Sequence, residues 1–157
     1  MKTRNPLGLG LVITGALAIA LGTFLPFQES PRFREIEQNT LIQNPSGWVL
    51  IALALGIVVT GYRVGQGLST KWWQPTLLSV GAALWVLLIA TKKSLRTLYP
   101  VGFNGEIDTS QPGVVSALGI AVYVAGAGAV TAFIGSLMIR QTIQNAAIDE
   151  EHEKQSG

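Results

Sequence analysis

Four separate stretches of this chain, residues 7–27, 47–62, 76–90 and 114–139, are apolar and contain no Asp, Glu, Lys, Arg or His. One such run can be a core helix, but four in a chain of 157 residues leave no polar face to cover a soluble core. Charged residues make up 13% of the chain, against about 25% in an ordinary soluble domain. Backbone groups in hydrocarbon must be satisfied within a helix or a closed barrel, and these runs lack the alternation of barrel strands. The expected fold class is therefore all-α: a polytopic membrane protein whose single domain is a four-helix transmembrane bundle. Two larger loops lie on one side, and residues 140–157 form an acidic, mobile tail.

The first run can also be read as a signal peptide, with Lys2 and Arg4 as its basic flank and Ala18-Ile19-Ala20 as a small-x-small cleavage site. The apolar run continues through Leu21, Phe24, Leu25 and Phe27, however, which favours an uncleaved anchor. Pro6 suits a helix start, and Pro26 ends the span. Spans two and three carry Trp48, Tyr62, Trp72 and Trp73 at their ends, where amphipathic rings prefer the headgroup level. The polar residues between them, from Gly65 to Lys71, predict an antiparallel hairpin. The fourth run would rise about 39 Å and must tilt or project from a hydrocarbon core of about 30 Å. Of the larger loops, residues 28–46 hold Ser30-Pro31, which predicts a short surface helix over 32–40. Residues 91–113 hold Asn104-Gly105, a tight-hairpin signal, and Pro112-Gly113 before the last span.

Orientation rests on Lys and Arg. With the N-terminus inside, Lys2, Arg4, Arg63, Lys71, Arg140 and Lys154 are cytoplasmic, and Arg32, Arg34, Lys92, Lys93 and Arg96 are outside. The difference is small, and the basic flank of the first helix decides for both termini in the cytoplasm of a cell-membrane protein.

No span carries an ionisable residue of the kind that ion pumps and proton-coupled carriers need. His152 sits alone in the acidic tail, and a zinc site needs three or four ligands. Glu106 and Asp108 flank a turn; they would form a catalytic set only if they met Glu29, Glu35 or Glu37 in a pocket. The chain has no cysteine and no clustered basic face for nucleic acid. No catalytic residue, metal site or cofactor is expected, and the chain reads as a non-enzyme.

Small residues at four-residue spacing are the main internal pattern. Gly10, Thr14, Ala18 and Gly22 form one line in the first span, and Ala52, Gly56 and Thr60 another in the second. The last span has two: Ala117, Ala121, Ala125, Ala129, and Gly128, Ala132, Ser136. Such lines let helix backbones approach closely in a membrane. They are expected to pack the bundle itself, or else to leave one line of the last span free for another protein. In the latter case Ala125→Leu or Gly128→Leu would release that partner without unfolding the chain. Lys92, Lys93 and Arg96 are candidates for lipid-phosphate contact, with helix-end snorkelling as the alternative.

A span ending in Leu25-Pro26 before an outer loop, and Pro112-Gly113 before a Gly- and Ala-rich last span, resemble small four-span membrane proteins of actinobacteria. In layout the chain is also similar to the membrane proteins associated with tryptophan-biosynthesis operons. The resemblance implies termini inside the cell and brings no catalytic residues. The expected function is a structural or accessory subunit that packs against a larger membrane complex or against copies of itself, with lipids as its surroundings. The alternative is a lipid- or small-molecule-handling transport component.

Overall fold

The computed structural model of the chain describes residues 5–32, 35–69, 71–92, 97–98, 114–115 and 117–156. The elements run α1 (Pro6–Gly22), β1 (Pro26–Arg32), β2 (Glu35–Thr40), a 3-10 turn (Leu41–Gln43), α2 (Pro45–Gly65), α3 (Trp73–Thr91), β3 (Thr97–Leu98), β4 (Val114–Val115), β5 (Ala117–Leu118) and α4 (Ile120–Ser156). The architecture is predominantly helical. Three segments, α2, α3 and 120–148 of α4, are long and apolar enough to cross a membrane, and α1 is a shorter apolar helix. Helix α1 packs on α2 and α4, and α3 packs on the same two helices from the other side.

Each helix starts and stops for local reasons. Asn5 caps α1, its side-chain oxygen accepting from the Gly8 N–H at 2.8 Å, and Pro6 fills the first helical position. The Asn5 amide also donates to the Met138 carbonyl (3.1 Å) and the Thr142 hydroxyl (2.7 Å), fastening the start of α1 to the far part of α4. Helix α2 opens on Pro45 and closes on a Schellman motif. There Gly67 N–H donates to Val64 O (2.9 Å) and Leu68 N–H to Arg63 O (2.8 Å). Gly67 has φ 68°, which disfavours any residue with a Cβ. Helices α2 and α3 then form the expected hairpin, with Trp85 Nε1 donating to the Ser46 carbonyl at 3.2 Å.

The ends of two helices differ from the sequence expectation. The first apolar run stops being helical at Gly22, where the buried Thr23 hydroxyl donates to Ala20 O at 2.7 Å. Residues 26–32 then continue as β1. The surface helix expected over 32–40 is a strand instead: β2 pairs antiparallel with β1, Ser30 opposite Glu37 and Arg32 opposite Glu35. The residue before Pro31 is biased towards extended backbone, and cross-strand pairing supplies the hydrogen bonds that a short isolated helix could not hold.

The fourth run likewise begins as strand. Leu118 and Ala117 pair with Gln28 and Glu29 of β1, so the sheet order is β2-β1-β5, and α4 starts only at Ile120. Gly119 makes that junction: its N–H donates to Phe27 O at 2.8 Å, and a Cβ there would meet the Pro26 and Phe27 backbone at 2.8 Å. The remaining apolar stretch, 120–139, rises about 30 Å, matching a hydrocarbon core without the overhang expected from the longer run. Beyond it α4 stays helical through the acidic tail to Ser156. The hairpin of the first larger loop thus joins β5, just after the second loop, in one sheet, while β3 of the second loop pairs antiparallel with β4 in a separate two-stranded sheet. Asn104-Gly105, Glu106, Asp108, Pro112-Gly113, Lys2, Arg4, Lys93 and Arg96 lie outside the described residues.

Candidate functional site

Helix α4 is the centre of the molecule, and its residues divide into faces that repeat in steps of three and four. The first face meets α1. A Cβ on Gly8 would lie 3.0 Å from Gly135 O and 2.8 Å from Ile139; on Gly15 it would lie 2.5 Å from Gly128 O and 2.8 Å from Ala132 Cβ. On Gly22 it would lie 3.1 Å from Ala121 O and 3.0 Å from Ala125 Cβ. Each of these three glycines of α1 meets the same two places on α4, one heptad further along. Gly128 and Gly135 reciprocate, a Cβ on them coming within 2.6 Å of Gly15 O and 2.7 Å of Gly8 O. This is a heptad seam between antiparallel helices, closed to near backbone contact.

The second face meets α3 in one constant register. Arg140 stacks on Trp72 with its Cζ 4.3 Å from the ring centroid. One turn deeper, Thr76 Oγ1 donates to Ser136 Oγ at 3.0 Å, and Ser136 passes its own hydrogen to Phe133 O at 2.7 Å. Further along, a Cβ on Gly126 would touch Val86 at 3.8 Å. Ser79 is buried and donates to Pro75 O at 2.7 Å, so the hydroxyls in this seam are satisfied by the helices themselves. The third face of α4 points outward and is as apolar as the core, with Ile120, Tyr123, Val130 and Ile134 exposed.

The residues singled out from sequence fall as follows. Ala121, Ala125, Ala129, Gly128, Ala132 and Ser136 are all buried, so both small-residue lines of α4 are consumed inside the molecule. Ala117 belongs to β5 rather than to the helix. Neither line stays free for a partner, and Gly128→Leu would drive a side chain into the α1 backbone instead of releasing a neighbour.

On α1 only Gly22 of the line Gly10, Thr14, Ala18, Gly22 is fully buried. Ala18 is half-buried, and Gly10 and Thr14 are exposed. A four-residue step overshoots a helical turn by about 40°, so three steps carry a line off one face; a seven-residue step drifts only about 20°. Gly8, Gly15 and Gly135, which close the seam, repeat at seven and fall on none of the four-residue lines. The repeat Gly8-Gly15-Gly22 against Gly128-Gly135 was the signal. Of the basic cluster, Lys92 is exposed just beyond α3. Trp72 and Trp73 part company: Trp72 turns in under Arg140 and Trp73 stays exposed.

Among the described residues, no three His, Cys, Asp or Glu side chains come together as a metal-binding group. Compared with known protein families, with curated proteins and with solved structures, the chain matches none.

Proposed function

We propose that this chain is a four-span protein of the cell membrane, with both termini in the cytoplasm, and that it is a non-enzymatic structural or accessory subunit. Helix α1 rises about 26 Å and needs only the turn at Thr23–Leu25 to complete a fourth crossing beside the three longer helices. The observation that carries the reading is the closure of the α1–α4 seam at Cβ contact distance, with α4 also joined to α3 at its polar end by the Thr76–Ser136 hydrogen bond. Closed seams favour a packing role over a lateral path for a lipid or small molecule, which is the competing reading. Recognition then falls to the outward faces.

The outward face of α1 is the best suited of these to another helix. Leu7, Leu17, Leu21 and Phe24 are exposed around Gly10 and Thr14, and a Cβ on Gly10 would meet nothing within 4 Å. Leucines flanking a shallow notch let a neighbouring helix, from a larger complex or a second copy, come close to the backbone. Gly10→Leu and Thr14→Leu are expected to release the neighbour during extraction in mild detergent and to leave the single chain folded. An unchanged assembly mass in both variants rules this face out, and a wild-type chain recovered alone rules out the accessory role.

A further inference from the structure

Arg140 is the charged group that the packing role does not use. It follows Ile139 directly, where the apolar stretch of α4 ends, and its guanidinium lies on the indole of Trp72 with Cζ 4.3 Å from the ring centroid. Its Nε is buried and has no hydrogen-bond partner. The acids of the tail begin only at Asp149, about 14 Å further along the helix. The indole attracts the cation through its face but accepts none of its in-plane N–H groups. A guanidinium has five such donors in a rigid fork, and here the ring holds the fork in one plane. Arg63, in the last turn of α2 at the same end of the molecule, is also a cation but is exposed and has no such support.

The level of this pair in a bilayer identifies what the fork would meet. Tryptophan favours the headgroup region, and the apolar stretch that ends beside Arg140 has the thickness of the hydrocarbon core. The abundant acceptor with two free oxygens at that depth is the lipid phosphate diester, which guanidinium groups bind through paired N–H donors. Lys71, exposed and adjacent to Trp72, adds a second positive charge that favours a lipid with net negative charge. We propose that Arg140, braced by Trp72, holds the phosphate of an anionic lipid in the leaflet at the C-terminal end of the apolar part of α4. This site goes beyond the packing role, and neither reading depends on the other.

The test is mass analysis of lipid retained by the full chain after transfer from vesicles of equal phosphatidylglycerol and phosphatidylcholine into mild detergent. The wild-type chain should keep phosphatidylglycerol in preference. Arg140→Gln should lower that retention about tenfold, the scale of one lost charged hydrogen-bond pair. Trp72→Leu should lower it by a smaller factor, and Arg63→Gln should leave it unchanged. Arg140→Lys keeps the charge without the fork; it should stay folded by circular dichroism and still lose retention, which keeps the test decisive if the Gln variant does not fold. Equal retention in Arg140→Gln or Arg140→Lys overturns the proposal, and so does an equal loss in Arg63→Gln, which would mean diffuse surface charge. If the wild-type chain keeps neither lipid in preference yet binds millimolar inorganic phosphate, and Arg140→Gln does not bind it, the ligand is free phosphate and the lipid assignment falls.

Discussion

At the scale of single residues, glycine placement decides which faces can close. Gly15 and Gly10 lie on the same helix, yet a Cβ on Gly15 would run into Gly128 and Ala132, whereas one on Gly10 would meet open space. Gly15→Ala should therefore destabilise the protein by about 1–3 kcal/mol through overpacking against backbone that cannot move aside. Gly10→Ala should raise stability by about 0.5–1 kcal/mol, since the new methyl meets no neighbour and alanine is the better helix former. Thermal unfolding of the two variants in one detergent checks the difference, and equal midpoints would mean the seam is not closed as described. Asn5 is a second decisive residue, since it caps α1 and also binds Met138 O and Thr142. Asn5→Ala should cost about 1–2 kcal/mol, towards the upper end for a cap because three hydrogen bonds are lost. The apolar class was legible in the sequence because absence of charge needs no knowledge of neighbours. The seam was only partly legible, since choosing between spacings of four and seven requires knowing that α1 and α4 run antiparallel over several turns.

At the scale of elements, the helices were legible and their ends near the sheet were not. Hydropathy cannot separate the last residues of a span from a strand that follows it, because Phe27, Val114, Val115 and Leu118 are as apolar as any helix interior. What divides them is a long-range pairing, β1 with β5, between segments about ninety positions apart. Gly119 is where that pairing hands over to α4. Gly119→Val should part β1 from β5, since a Cβ there meets the Pro26 and Phe27 backbone. The expected readout is faster amide exchange at residues 119, 28, 29, 117 and 118, with α2 and α3 unaffected; unchanged exchange at residue 119 would refute the junction. The α3–α4 pairing, by contrast, should depend little on its hydroxyls. Thr76→Val and Ser136→Ala in a double-mutant cycle should show a coupling of only about 0.6 kcal/mol, the usual value for an interhelical hydrogen bond in a membrane.

For the whole molecule, the arrangement makes a claim about sides. The sheet joins the end of α1 to the start of α4, and Ile42 N–H donates to Thr23 O at 2.9 Å, so the two larger connections share one end of the helices. The α2–α3 turn, the Asn5 cap and the start of the acidic tail share the other, because Asn5 reaches Met138 and Thr142 while Trp72 lies under Arg140. If α1 crosses the bilayer with the other three helices, those two ends face opposite compartments. The chain has no cysteine, so single cysteines can report each end without a background. Gln43→Cys and Lys92→Cys lie in exposed positions at the sheet end, and Gly67 is avoided in favour of Leu68→Cys and Gln144→Cys at the other, since φ at Gly67 is 68°. In intact cells a membrane-impermeant maleimide should label positions 43 and 92, and should reach 68 and 144 only after the membrane is opened. Labelling of the opposite pair first would reverse the orientation that Lys2 and Arg4 favour, yet keep four crossings. Labelling of 43 and 68 from the same side would mean that α2 does not cross, and the bilayer reading of the closed helix packing would fail with it.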